Sequence, residues 1–351
     1  MRKIAIICIL CSVFCTLSVN AERTAYITKV WEYVPAPGQF VNELPAYTTG
    51  ADANDMCLKV EERIANNEQG MITLGGWGGY VVFSFDHPVV NVAGQKDFIV
   101  EGNAFYTDKT AGAAGGGSCE PGIVMVSYDA NKNGKPDDTW YELAGSEYTN
   151  ARTIHDYSVT YERPASDHKA TPDPNHKYRL DTTHLHWTDN KGGAGYLEQV
   201  VPHNHTYYPQ WISTEKMTFT GARLPDNNQW TGSMYVLYPF EYGYADNHPN
   251  DETAAQLDIE WAVDANGNKV HLDAIHFVKV YNGMHQQCGA IGETSTEITG
   301  AHDLHPDAPA DVENTLVNSQ PAIRKFIHNG QLVIIKDDNI YNPLGILINN
   351  N

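Results

Sequence analysis

Short runs of β-branched and aromatic residues, separated by turn residues, constrain the fold of this 351-residue chain more than any other feature. Residues 80–85, 123–128 and 274–281 are such runs, and Gly, Pro, Asn and Asp stand between them. Helical periodicity is confined to residues 54–67, and no repeat of fixed period occurs. The sequence therefore predicts an all-β protein: a jelly-roll or β-sandwich with one short helix, a long loop insertion and a small C-terminal β appendage.

Shifts in composition predict the domain boundaries. Residues 22–304 form the predicted jelly-roll domain. Within it, residues 151–195 are rich in His, Asp, Pro, Thr and Lys and poor in aliphatic side chains. We interpret them as a loop insertion at one end of the sandwich, where loops often carry binding sites. Residues 305–324 have the composition of a linker, and residues 325–351 contain two or three short β-segments.

The first 21 residues have the pattern of an export signal. Arg2 and Lys3 precede an apolar run at residues 4–17, and small residues precede Glu22. The run is too short for a comfortable membrane span and no second one follows, so the sequence predicts an exported protein that is not transmembrane. It would lie at the cell surface, at the outer membrane or outside the cell. Lipid anchoring through a cysteine of this segment is the alternative, but none of its cysteines follows a small residue.

The chain is strongly acidic, with a formal net charge of −20 at pH 7. Removal of Arg2 and Lys3 with the signal makes the mature chain more negative still. Such a surface repels phosphate groups, which argues against nucleic acid and anionic membranes as partners.

Three cysteines remain after the signal: Cys57, Cys119 and Cys288. An odd number permits one disulfide at most. Cys119 and Cys288 are the predicted pair, because both lie in Gly-rich loops whereas Cys57 lies in the helical segment.

A polar loop at residues 129–138 has the side chains that a hard cation prefers. Ca²⁺ takes six to eight oxygen ligands, and alternate positions of a curled loop direct them to one centre. Gly134 permits the tight turn, although the bidentate Glu of an EF-hand is missing. The sequence predicts a structural Ca²⁺ site, with an Asn-Gly hairpin that binds no ion as the alternative. Its candidate ligands are Asp129, Asn131, Asn133, Asp137 and Asp138.

Aromatic residues suggest where an organic ligand would bind, because flat rings stack on sugars and on macrocycles. The alternative is that these rings belong to the core, as alternating aromatics on a strand often do. The candidate ligand-binding residues are Trp187, Tyr207, Tyr208, Trp211 and Trp230.

Two histidine pairs have the i, i+2 spacing that places both rings on one face of a strand: His184 with His186, and His203 with His205. Together they could bind Zn²⁺ or Cu²⁺, or give an axial nitrogen to a corrinoid. The favoured alternative is that they are exposed loop histidines in a chain with 15 of them.

No catalytic motif stands out. A metalloprotease helix and a nucleophile turn are both missing, and no spacing selects a pair of carboxylates for glycoside hydrolysis. The sequence therefore predicts that the protein is not an enzyme.

Two segments carry a resemblance to a known family. Residues 75–91 (GGWGGYVVFSFDHPVVN) and 94–105 (GQKDFIVEGNAF) resemble the paired motifs of Bacteroidetes-type cell-surface jelly-roll proteins. Residues 124–129 and 272–280 are similar to later strands of that family, and residues 140–148 (WYELAGSEY) complete the pattern. The match extends with gaps over most of the predicted jelly-roll domain.

Some relatives in that family are encoded in vitamin B12 uptake regions, beside outer-membrane transporters. The resemblance thus implies cobalamin capture as one role and an outer-membrane transporter as a partner. Residues 329–335 and 340–345 also resemble the C-terminal sorting signals of type IX export, although Ile346 and Leu347 depart from the usual polar and basic residues. A β-hairpin packed on the main domain is the alternative.

These observations predict a secreted or surface-exposed, non-enzymatic, calcium-stabilised protein that captures a nutrient such as cobalamin or a glycan. Two alternatives remain: a secreted glycan-active hydrolase, and a structural or adhesive surface domain without a small ligand.

Overall fold

The computed structural model describes residues 23–309 in full and the backbone of four later segments, residues 324–328, 331–336, 339–341 and 347–350. The predicted signal peptide and most of the predicted linker lie outside the described residues. Strand accounts for 37% of the protein, and the sheets are antiparallel. The prediction of a mostly β protein is confirmed.

The strands of the main body are short, and many contain only two residues. In chain order they are β1 (Lys29–Ala36), β2 (Ile72–Thr73), β3 (Gly76–Ser84), β4 (Val89–Val90), β5 (Phe98–Glu101), β6 (Phe105–Tyr106), β7 (Gly117–Ser118), β8 (Gly122–Ser127), β9 (Trp140–Leu143), β10 (Ile154–Glu162), β11 (Arg179–Asp189), β12 (Ala194–Val200), β13 (Lys216–Arg223), β14 (Asn228–Trp230), β15 (Tyr235–Leu237), β16 (Tyr244–Ala245), β17 (Gln256–Leu257), β18 (Ala262–Val263), β19 (Ala274–Ile275), β20 (Phe277–Asn282), β21 (Glu297–Ile298) and β22 (Gly300–Asp303). Short 3-10 helices span Gly112–Gly115, Thr253–Ala255, Ile259–Trp261 and Gly289–Ile291.

Two sheets form most of the main body. A seven-stranded sheet has the order β1-β3-β20-β8-β9-β18, with β16 also paired to β8. A four-stranded sheet has the order β12-β11-β10-β13. Smaller sheets join β14-β15-β7-β6, β17-β5-β22, β19-β4 and β2-β21.

One α-helix, α1 (Ala53–Ile64), lies within the described residues. Its first turn is fixed by a capping box, in which the Asp52 side chain accepts from the Asp55 N–H and the Asp55 side chain accepts from the Asp52 N–H. The helix is shorter than predicted, because the backbone of Ala65, its C-terminal cap, is already extended. Asn66 and Asn67 follow with positive φ angles of 54° and 62°.

The main core lies between α1 and one face of the seven-stranded sheet. Met56, Val60 and Ile64 of the helix are buried there, together with inward residues of the strands such as Val81 and Val280. A second cluster joins β3 to the four-stranded sheet, and its large side chains include Trp77, Tyr157, Tyr161, Leu185, Tyr207 and Phe219.

The region predicted to be a loop insertion, residues 151–195, is only partly loop. It contains β10, β11 and the start of β12, so the prediction is wrong over about half of its length. Tyr157, Val159 and Tyr161 alternate with polar residues along β10 and are buried. The polar residues of the exposed faces hid this alternation. The longest part that remains a loop is residues 163–178.

The two sheets approach closely at a glycine. Gly78 of β3 has a φ of +87°, and a Cβ atom there would overlap the Cβ of Phe219 on β13. The glycine-rich segment ahead of Tyr80 therefore permits β13 to pack directly against β3.

The predicted disulfide between Cys119 and Cys288 is wrong. Among the described residues Cys57, Cys119 and Cys288 are all free thiols, and the last two are buried. Burial raises the pKa of both buried thiols to about 12, so they are inert at neutral pH.

The chain divides into two compact units after Pro309. The second unit contains a four-stranded antiparallel sheet formed by β23 (Arg324–His328), β24 (Gln331–Lys336), β25 (Asn339–Tyr341) and β26 (Leu347–Asn350). Residues 342–346, which carry part of the predicted sorting signal, lie outside the described residues. In the described part of the chain, no helix is long and apolar enough to cross a membrane.

Candidate functional site

Strand alternation gives the seven-stranded sheet one apolar face and one mixed face. On β9, Tyr141 and Leu143 turn toward the main core, whereas Trp140 and Glu142 turn to the opposite face. On β20, Lys279 lies on this opposite face as well. The mixed face thus carries charged and aromatic side chains next to one another.

A cavity of about 750 Å³ lies over the mixed face. Its second wall comes from β10 and β13 of the four-stranded sheet, and a polar turn at residues 264–267 contributes to the lining. Its volume falls within the range of small-molecule sites. Such sites combine apolar and aromatic side chains with a few polar groups that orient the ligand. Its aromatic lining consists of Tyr80, Trp140, Tyr148, Tyr157, Phe219 and Tyr281.

Lys279 provides the positive charge of the cavity. Its Nζ lies 3.9 Å from the centroid of the Tyr80 ring, a cation–π contact. The Tyr80 hydroxyl in turn donates to Oε2 of Glu32 at 2.9 Å. Burial lowers the pKa of Lys279, and the charge of Glu32 opposes this shift. The ammonium is held by an aromatic ring and remains open to another partner.

Glu142 provides a carboxyl group without a partner. In the described part of the chain its side chain makes no hydrogen bond, and burial alone raises the pKa of Glu142 to about 7. Near neutral pH it is therefore present both as an acid that can donate and as a carboxylate that can accept. Carboxyl groups with shifted pKa values are frequent in functional sites, where a ligand can provide the missing hydrogen-bond partner.

The cavity's polar rim is held by local hydrogen bonds. Oδ1 of Asp264 accepts from the N–H groups of Asn266 and Asn268, at 2.9 and 2.8 Å. Together with a bond from the Asn268 side chain, they hold the pKa of Asp264 below its usual value. Across the cavity, Nε2 of His155 lies 2.8 Å from the carbonyl oxygen of Tyr148.

The predicted ligand-binding aromatics do not form this site. Tyr207 and Tyr208 are 0% and 1% exposed and belong to the second core cluster, so the prediction that they face a ligand is corrected. Both rings pack in the core, and the sequence alone does not distinguish a core aromatic from one that faces a ligand.

The three predicted tryptophans are in separate places. Trp187 is half-buried, with its ring centroid 4.4 Å from that of His285. Trp211 is half-buried against the main core. Trp230, on β14, is 55% exposed. None of the three lines the cavity described here.

The predicted calcium loop is curled around Asp129. Its Oδ1 accepts from the N–H of Asn133 at 3.0 Å and its Oδ2 from the N–H of Gly134 at 2.8 Å. Oδ2 of Asp138 accepts from the N–H of Ala130 at 3.1 Å.

Two amides of the same loop point toward a carboxylate. The Nδ2 atoms of Asn131 and Asn133 donate to Asp137 at 2.9 to 3.1 Å. The donor set of carboxylates and amide oxygens fits Ca²⁺, provided that the Asn131 and Asn133 side chains turn their oxygens to the ion. The calcium site stays a prediction.

Sequence reasoning missed a buried acidic cluster that Glu120, Asp246 and Glu297 form. One oxygen of each lies within 4.8 Å of the others, and all three residues are buried. Burial, followed by the charge of Asp246, raises the pKa of Glu120 to about 8. Burial and the charges of their neighbours raise the pKa values of Asp246 and Glu297 as well. Burial and mutual repulsion therefore favour the protonated forms of these three side chains.

No protein-family model matches this chain, and no curated protein matches it.

Proposed function

We propose that this protein is an exported, non-enzymatic binding protein that captures a small nutrient in the cavity between the two sheets. The observation that carries the proposal is the combination of three half-buried aromatic rings, those of Tyr80, Trp140 and Tyr148, with two charged groups. The charged groups are Glu142 and Lys279, which form no salt bridge to each other. Aromatic faces bind the C–H faces of sugar rings, and carboxyl and ammonium groups bind hydroxyls.

A short glycan fits this chemistry best. The cavity volume of about 750 Å³ accommodates a ligand of a few sugar units, and polar side chains line it from both sheets. Cobalamin, which the family resemblance implies, is the second ligand to test. We further propose that the surrounding sheets form a jelly roll stabilised by Ca²⁺ at residues 129–138. The protein would act at the cell surface and pass its ligand to an outer-membrane transporter.

Isothermal titration of the mature chain against a glycan panel and against cyanocobalamin tests the proposal. Trp140→Ala removes a ring of the cavity and is expected to weaken binding at least tenfold. Trp230→Ala removes an exposed ring elsewhere and serves as the matched control, with affinity unchanged. Absence of binding to every ligand, or an equal loss in both variants, would overturn it.

A hydrolase is the second candidate, because two carboxyl groups of the cavity have pKa values that are shifted apart. Glu142 has a pKa of about 7, as a general acid requires, and Asp264 is held ionised. Glycosidases place such a pair on either side of the bond they cleave. Release of reducing ends from a bound glycan, lost in Glu142→Gln with binding retained, would establish this function. Intact glycan after prolonged incubation would exclude it.

A further inference from the structure

Two histidines and an aspartate form a cluster separate from the cavity, at strand β11 and the loop before it. His168, Asp181 and His184 each present one ligand atom, and the three atoms lie within 4.8 Å of one another. Oδ2 of Asp181 is 2.6 Å from Nε2 of His168 and 3.8 Å from Nδ1 of His184. One carboxylate oxygen therefore faces two imidazole nitrogens.

The orientation of Asp181 is fixed by its other oxygen. Oδ1 accepts from the backbone N–H groups of Thr171 and Thr183, both at 2.9 Å, and from the Thr183 hydroxyl at 3.1 Å. Burial disfavours the charged form, but these bonds and the one to His168 hold the pKa of Asp181 below its usual value. The side chain is a carboxylate at neutral pH, and its Oδ2 is directed at the histidines. Hydrogen bonds of this kind orient the ligands of metal sites.

His184 is mostly buried next to Asp181, with its side chain 11% exposed. Burial lowers the pKa of His184, with Asp181 opposing the shift and His168 and His205 adding to it, so its ring keeps a free lone pair. Its ring packs against Tyr207, with centroids 4.8 Å apart. Within the described chain, its buried Nε2 has no hydrogen-bond partner. The other ring nitrogen, Nδ1, faces Asp181 and is the atom that could bind an ion.

The distances suit a small tetrahedral ion. Nitrogen and oxygen ligands about 2.0–2.2 Å from Zn²⁺ lie about 3.4 Å from one another in a tetrahedron. The distances from Oδ2 of Asp181 to the His168 and His184 nitrogens, 2.6 and 3.8 Å, lie on either side of that value. The shorter distance is a hydrogen bond, which would lengthen when its proton is replaced by a metal ion. A cavity of about 360 Å³, lined by His168, Thr183 and His184 among others, gives space for a water at the fourth position.

We propose that Nε2 of His168, Oδ2 of Asp181 and Nδ1 of His184 bind a divalent transition-metal ion, with Zn²⁺ as the best fit. Two imidazoles and one carboxylate select Zn²⁺ and its late first-row neighbours over Ca²⁺ and Mg²⁺, which prefer oxygen alone. The ion would tie the loop at residues 163–178 to β11.

Isothermal titration with ZnCl₂ tests the site on the chelator-treated mature chain, with Ca²⁺ in excess to occupy the loop at residues 129–138. Co²⁺ in place of Zn²⁺ gives a visible absorption band that reports tetrahedral nitrogen and oxygen ligands. We expect one ion per chain. His168→Ala and His184→Ala should each lower the affinity at least tenfold. His168 lies on an exposed loop, so its variant does not endanger folding.

His176→Gln is the matched control. His176 is another histidine of the same loop, bonded to Asp173 at 2.7 Å, and its side chain is 48% exposed. Its removal should leave the affinity unchanged. Absence of a Co²⁺ band, or equal affinities in His168→Ala, His184→Ala and the unaltered protein, would overturn the proposal.

Discussion

Glu142 and Lys279 lie on either side of Met125, which is the direct cross-strand partner of both. Neighbouring strands are about 4.8 Å apart, so the two charged residues start from backbone positions about 10 Å apart on one face of the sheet. Lys279 contacts the Tyr80 ring. A ligand that lies over Met125 can contact both charged groups at once, which is why we place binding there.

Glu142→Gln should stabilise the protein at alkaline pH and weaken its binding. The folded pKa of Glu142, about 7, lies above that of a free glutamate. The neutral form is thus favoured by folding, and its stabilisation is complete below about pH 4.5 and lost as the pH rises through 7. At pH 8.5 the variant should gain roughly 1–3 kcal/mol, after allowance for partial exposure.

Thermal unfolding at pH 5 and pH 8.5, together with titration of the ligand, measures both effects. A variant that gains stability but loses affinity marks a residue kept for binding. Equal stability of the two proteins at both pH values would contradict the buried position of Glu142.

The sequence was sufficient to predict β-strands but not the position of the cavity. Alternation along Trp140–Leu143 already separates Trp140 and Glu142 from Tyr141 and Leu143. Which face would bear a ligand depends on β10 and β13, which pack over one side only. That packing places β13 against β3, which lies more than 100 positions earlier in the chain, and local pattern does not encode it.

The acidic cluster predicts a fall of stability with rising pH. Glu120 has a folded pKa of about 8, raised by burial first and by Asp246 second. Its contribution to stability is complete below the unfolded value of about 4.5 and is lost as the pH passes 8. Glu120→Gln keeps the shape and the hydrogen-bonding oxygen but removes the ionisation. It should flatten the dependence between pH 5.5 and pH 8.5 by several °C in Tm.

Repulsion among the many acidic groups of this chain also lowers stability as the pH rises. Glu120→Gln retains that general repulsion and removes only the ionisation of Glu120, so it separates the two causes. Identical pH profiles of Tm for the two proteins would show that Glu120 is already ionised when folded.

Calcium removal is expected to lower Tm through the loop at residues 129–138. EDTA should destabilise the unaltered protein, and Asp129→Ala should abolish the difference, because Asp129 is both a candidate ligand and the centre of the curled loop. Asp264→Ala is the matched control, since Asp264 also accepts from two N–H groups of its own turn. It should leave the EDTA effect in place. A melting curve that EDTA does not alter would remove Ca²⁺ from the proposal.

The errors made from the sequence have a common physical origin. Tyr207 and Tyr208 have the residue type that ligand sites favour, yet they fill the second core cluster. Large aromatic side chains contribute much apolar area both to a protein core and to a ligand site. Residue type alone therefore does not show which of the two an aromatic residue belongs to. Glu120, Asp246 and Glu297 come from three distant segments, and only the tertiary fold brings them together.

Gly78→Ala should destabilise the protein and impair the cavity together. Two effects combine at this position: its φ of +87° disfavours a side chain, and a Cβ would overlap Phe219. Gly94→Ala separates them, since Gly94 has a φ of +74° but open space around its Cβ position. We expect a loss of about 1–2 kcal/mol for Gly94→Ala from backbone strain alone. For Gly78→Ala we expect about 1–3 kcal/mol more, because β13 must move away from β3. Chemical denaturation measures both losses, and ligand titration should report weaker binding for Gly78→Ala only. Equal losses in the two variants would mean that the sheets do not meet at Gly78.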